Sequence, residues 1–115
     1  MTTWKDVPQA TLREIATELH GNGWGIYGPE YLEKKGVPEA LVMRATRHHA
    51  SDGTPKGTIT NTKTGAVASS MAGIYSLDLL ETICRDLELE VRGYNGRGSQ
   101  AWADAEAILS YCSEG

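Results

Sequence analysis

The chain contains no phenylalanine, only two cysteines, and no apolar run approaching the ~18 residues that a membrane span requires. Each shortage excludes something. Without phenylalanine, the core must be built from Leu, Ile, Val and Met with three Trp and five Tyr. Two cysteines, Cys84 and Cys112, are too few for a disulfide framework, and their spacing fits no zinc pattern. They read as two buried thiols of a cytoplasmic protein, with a bridge between the last two helices as the alternative. No signal-peptide core marks the N-terminus, so the expectation is a cytoplasmic chain with no membrane partner. A basic surplus is missing too: the formal net charge is −4. Residues 1–57 carry seven Lys and Arg against seven Asp and Glu, and residues 58–115 carry four against eight. Nucleic-acid binding through a global basic footprint is therefore disfavoured, though a local basic stripe remains open.

What is present describes a folded domain. A chain of 115 residues, 40% hydrophobic and 23% charged, has enough apolar material for one modest core. In "DVPQATLREIATELHGNG", Leu12, Ile15, Ala16 and Leu19 recur at helical spacing, with Asp6 and Pro8 at the start and Gly21 and Gly23 at the stop. The glycine-rich stretch that follows holds Trp24 and Tyr27, aromatics expected to pack inward. "PEYLEKKG" predicts a short helix opened by Pro29 and closed at Gly36. "VPEALVMRATRHHAS" predicts another helix, with a strand over 41–46 as the competing assignment.

The Thr-rich residues 51–70 suggest a small hairpin, Thr58–Thr60 with Ala66–Ala68 about a bend at Gly65, or else a loop. "SLDLLETICRDLEL" then predicts a helix capped by Ser76, with Leu77, Leu80, Ile83, Cys84 and Leu87 on one face. The last helix is expected to begin at Ser99, with Trp102, Ala105, Ile108, Leu109 and Cys112 facing inward. The fold class is thus mainly α: four to five short helices around one core, with a small β-hairpin or loop in the middle. The organisation is a single domain, 1–115: a helical half (6–50), a Thr/Gly-rich segment (51–70) and a helix-loop-helix (76–112).

Two segments resemble known modules. "LREIATEL" (12–19) and "LETICRDL" (80–87) share a pattern, each followed by a Gly-aromatic loop and a further helix. Residues 76–110 in this way resemble the helix–extended-loop–helix modules of the SAP and Rho N-terminal type, which bind nucleic acid. Where those families carry basic residues, this stretch has only Arg85, Arg92 and Arg97. Residues 28–47 resemble a helix-turn-helix with Gly36 at the turn and Val37 and Val42 packing the pair. That resemblance would turn Glu39, Ala40, Met43 and Arg44 toward a groove, with Arg47 and the histidines in support.

The candidate chemistry is sparse. "GYNGRGSQAW" (93–102) has glycines before a helix start and one arginine, but no Gly-Lys-Ser/Thr ending and no preceding strand. It reads first as a turn and cap, and second as a contact loop. His48, His49 and Asp52 could approach a metal, but adjacent histidines on a helix diverge by about 100°. Asp78 with Glu81, and Asp104 with Glu106, read as solvated faces. No catalytic set, metal site or cofactor site is expected. Two functional classes follow. The first is a non-catalytic protein-interaction module, similar in kind to small phage or mobile-element proteins that inhibit host defence complexes. Its contacts would be Trp24, Tyr27, Tyr94, Asn95 and Arg97, and its target a protein with a basic surface. The alternative is a DNA-binding regulator using Arg44, Arg47, His48 and Arg97.

Overall fold

The computed structural model describes residues 2–23, 25–27, 29–45, 58–60, 67–69 and 74–114. It is mainly helical. A 3-10 turn, Trp4–Asp6, precedes α1 (Gln9–Leu19), the two-residue strand β1 (Ile26–Tyr27), α2 (Pro29–Lys34) and α3 (Glu39–Ala45). After them come β2 (Thr58–Thr60), β3 (Val67–Ser69), β4 (Ile74–Tyr75), α4 (Ser76–Asp86) and α5 (Arg97–Glu114). The strand alternative for 41–46 gives way to helix through Ala45. β2 lies antiparallel to β3 with Ile59 opposite Ala68, one residue beyond the partner expected from sequence. β1 pairs antiparallel with β4, and the Ser76 N–H donates to the Gly25 carbonyl at 2.9 Å. That short ladder fixes where α4 begins.

The core follows the periodicities of the sequence. Leu12, Ile15, Ala16 and Leu19 of α1 are buried, as are Leu77, Leu80, Ile83, Cys84 and Leu87 along α4. Leu79, not included in the expected stripe, is buried as well, so α4 is covered on a wider arc. Leu32, Val37, Leu41 and Val42 bring α2 and α3 into the same cluster. Gly36, at φ +80°, turns the chain between them: the Val37 N–H reaches the Leu32 carbonyl, and Gly36 the Glu33 carbonyl. The aromatic centre is Trp4, fully buried in a turn whose Thr3 and Asp6 form a reciprocal capping box. The backbone N–H of Trp4 donates to Asp86 Oδ2 at 3.1 Å, tying the N-terminus to the end of α4.

Three expectations about helix ends and faces are corrected. Ser76 is the first residue of α4 rather than its cap; it is buried, and its hydroxyl has no hydrogen-bond partner among the described residues. α5 starts at Arg97, two residues before Ser99, because Gly96 at φ +98° already turns the chain and accepts from the Gln100 N–H. Trp102 does not face inward but is 51% exposed. The inner stripe of α5 is Ala101, Ala105, Ile108 and Cys112, whose small side chains let the helix lie close against α1 and α4. Leu109 is half-buried.

Both cysteines are free thiols. Cys84 donates to the Asp104 carbonyl at 3.6 Å, and burial pushes its thiol up to about 12. Cys112 lies two turns further along α5, where its carbonyl accepts from Arg13 at 3.3 Å. A bridge between them is thus not formed.

Candidate functional site

The sequence "GYNGRGSQAW" occupies the extended segment after α4 and the first turn of α5. α4 ends when Glu88 adopts φ +58° and the Leu89 N–H reaches back to the Cys84 carbonyl. Beyond it, Leu89 and Val91 are half-buried while Glu90 and Arg92 are exposed, the alternation of an extended chain lying on a core. One side chain holds this segment in place. Gln100 accepts from the Tyr94 N–H at 2.7 Å and donates through Nε2 to the Arg92 carbonyl at 3.1 Å and to Asp104 Oδ1 at 3.0 Å.

On the outer side of that latch lies an open groove of about 390 Å³ lined by Gly21, Tyr94, Gly98, Ser99 and Trp102. Tyr94, 47% exposed, and Trp102 are the exposed large apolar side chains among the described residues. Two glycines admit the approach of the α1–β1 loop to α5. A Cβ on Gly23 would meet the Arg97 carbonyl at 2.5 Å and the Gly98 nitrogen at 2.7 Å. Gly21, at φ +77°, ends α1 beside the indole of Trp102. His20 stacks on that indole at 5.1 Å between ring centroids, and its Nε2 lies 3.0 Å from Glu106 Oε1. Arg92 rests over the Tyr94 ring at 5.5 Å.

A second cavity, about 430 Å³, opens on the inner side of the latch. Glu81, Cys84 and Arg85 line it from α4, Leu89, Val91 and Gly93 from the extended segment, and Gln100 and Asp104 from α5. Asp104 is not on a solvated face. It is 2% exposed, and its Oδ2 has no hydrogen-bond partner among the described residues. Burial raises its carboxyl above the usual range, with the Gln100 hydrogen bond pulling the other way. Glu81 is also raised, first by desolvation, then by the Asp104 and Asp78 charges, against the opposing pull of Arg85 and Arg97.

The residues expected at a contact surface separate. Tyr94 and Asn95 are exposed, and Arg97 is half-buried at the start of α5 with its guanidinium 5.6 Å above the Tyr75 ring. Tyr27 is half-buried against the core: its hydroxyl accepts from Asn22 Nδ2, and its ring lies 4.8 Å from that of Tyr31. Trp24, Arg47, His48, His49 and Asp52 lie outside the described residues, and Arg44 falls on α3. Among the described residues no three His, Cys, Asp or Glu side chains gather to hold a metal ion.

Sequence reasoning missed Trp102, Gln100 and Asp104 as site residues. Gln100 and Asp104 stand one helical turn apart just after a glycine loop, a spacing that places an amide and a carboxylate on one face. That was the available signal. Among the described residues no helix is long and apolar enough to cross a membrane. The chain matches no protein-family model, no curated protein and no solved structure.

Proposed function

We propose that this chain is a non-catalytic protein-interaction module whose contact surface centres on the groove between Tyr94 and Trp102. The observation that carries this reading is the pair of large exposed aromatics lining one groove, on a loop fixed by Gln100 and a helix packed on the core. Aromatic side chains supply most of the affinity at protein interfaces, and pre-ordered ones lose little entropy on binding. The excess of acid over base in residues 58–115 favours a target with a basic surface, approached by charge steering. An inhibitor of a larger complex, of the sort small phage or mobile-element proteins provide, is one form such a module takes. It would work in the cytoplasm, where both thiols stay reduced.

The test is affinity capture from lysate of the encoding organism, with Tyr94→Ala/Trp102→Ala as the paired bait. The expected result is a partner held by the native chain and lost from the double variant, with both baits folded by circular dichroism. Identical captures from the two baits would remove the groove from the interface. Fluorescence anisotropy with a mixed-sequence DNA duplex separates the other class. Micromolar affinity that collapses as salt rises would overturn the protein-partner reading in favour of nucleic acid.

A further inference from the structure

We infer that the cleft between Glu81 and Asp104 is a socket for a lysine side chain presented by the protein partner. This rests on the interaction-module reading and adds to it the chemistry that the partner must offer.

The cleft is built rather than incidental, because three chain segments meet there. α4 contributes Glu81, α5 contributes Asp104, and the extended segment between them supplies the apolar wall of Leu89 and Val91. A carboxylate buried to 2% exposure with one oxygen unpartnered carries a desolvation cost that the single Gln100 hydrogen bond offsets only in part. Gln100 satisfies only Oδ1, and its carboxamide is fully engaged with Arg92, Tyr94 and Asp104. The missing group at Oδ2 is a donor, best a positive one.

The nature of that donor follows from the acceptors. An arginine fork binds a carboxylate through both oxygens, and Asp104 has only one left. An ammonium is a compact charge with three donors, which suits one unpartnered oxygen on Asp104 and a second carboxylate, Glu81, lining the same cavity. Its four-carbon stem would lie along Leu89 and Val91, as lysine stems do on apolar surface. Arg85 lines the same cavity and Arg97 is in electrostatic reach of Glu81, but Asp78 acts on Glu81 as well. Three carboxylates thus stand against two guanidiniums. The carboxyls of Asp104 and Glu81 are raised first by burial, the cost that a bound cation would relieve. The socket adjoins the aromatic groove through Gln100, so one partner could fill both.

The probe is N-acetyl-lysine methylamide, titrated at low ionic strength into the full 15N-labelled chain and followed by amide shifts. Its controls are the norleucine and arginine analogues. Saturable shifts are expected at Glu81, Val91, Gly93 and Gln100, with the norleucine analogue at least tenfold weaker. Asp104→Asn should weaken lysine binding about tenfold and Glu81→Gln severalfold, tenfold corresponding to ~1.4 kcal/mol. Glu81 is exposed, so its variant tests the site even if the Asp104 variant fails to fold. Equal shifts from norleucine, or native binding by both variants, would overturn the socket. Tighter binding of the arginine analogue would overturn the ammonium assignment. None of these outcomes depends on capture by the Tyr94/Trp102 groove, so either reading can fail alone.

Discussion

The imidazole of His20 lies 5.1 Å from the indole of Trp102, the two planes inclined at 33°, and its Nε2 is 3.0 Å from Glu106 of the same helix. This contact joins the end of α1 to the first turns of α5 on the surface, while the join beneath it is made by alanines. Trp102 is therefore a lid on a helix contact rather than part of the core. Replacing it by alanine removes one tilted ring contact, worth ~1 kcal/mol. Trp4→Ala empties the middle of the core and should cost about 3–5 kcal/mol. Urea unfolding of the two variants followed by far-UV circular dichroism makes the comparison. Equal losses would mean that Trp102 is a core residue after all.

Gly23 and Gly93 make a matched pair. A methyl group on Gly23 would run into the backbone of Arg97 and Gly98, atoms that cannot swing aside. Among the described residues, nothing lies within 4 Å of a Cβ added to Gly93. Gly23→Ala should thus cost about 1–3 kcal/mol and shift the amide signals of Gly98 and Ser99. Gly93→Ala should be neutral within ~0.5 kcal/mol. Thermal melts of both, with a 15N spectrum of the first, decide whether the α1–β1 loop sets the shape of the groove.

Lys35 fastens α2 to α1. Its ammonium contacts Glu14 and lies 2.7 Å from Glu18, whose other oxygen accepts from the Tyr31 hydroxyl. The Lys35 and Tyr31 hydrogen bonds hold the Glu18 carboxyl below its ordinary value, while burial and the Glu18 contact raise the Tyr31 hydroxyl. A carboxyl lowered in the folded state adds stability above its unfolded value. That contribution is lost as the pH falls through the folded value. Lys35→Met should lower the melting temperature at neutral pH, and the difference from the native chain should shrink below about pH 4. A constant difference from pH 7 to pH 3 would mean that the contact acts through packing alone.

Much of this fold was legible because it rests on periodicity. The buried stripes of α1 and α4 recur every three or four residues, and Gly21 and Gly36 mark the ends of α1 and α2 with positive φ. α5 was harder to read for a physical reason. Its largest apolar residue is Trp102, which the sequence counts into the inner face with Ala105, Ile108 and Cys112. Those three are buried, but close packing puts the small Ala101 where Trp102 is expected. Asp104 was misplaced for another reason, its charge. In sequence it looks like the partner of a solvated Glu106; in the fold, Glu106 pairs with His20, and Asp104 is buried at the cavity it shares with Glu81. The contact between Gly23 and α5 joins residues some 70 apart in sequence, and no local pattern encodes it.

Asp104 titrates in the opposite sense to Glu18, and this gives the sharpest prediction. Burial raises its folded-state value, so the folded chain keeps this proton at a pH where the unfolded chain has lost it. Stability from this residue is therefore greatest at acid pH. It declines as the pH climbs from the ordinary carboxylate range to the raised folded value, and is flat beyond. Asp104→Asn keeps an oxygen for Gln100 and removes the buried charge, so it should stabilise the chain at neutral pH by about 1 kcal/mol. The gain should vanish toward pH 3. Urea titrations of both chains between pH 3 and pH 8 measure it. A variant that is more stable yet weaker toward the lysine probe would mark Asp104 as a residue retained for binding at the expense of stability. A variant less stable at every pH would instead make the carboxylate a structural acceptor for Gln100, whose loss loosens the whole of the Arg92–Tyr94 segment.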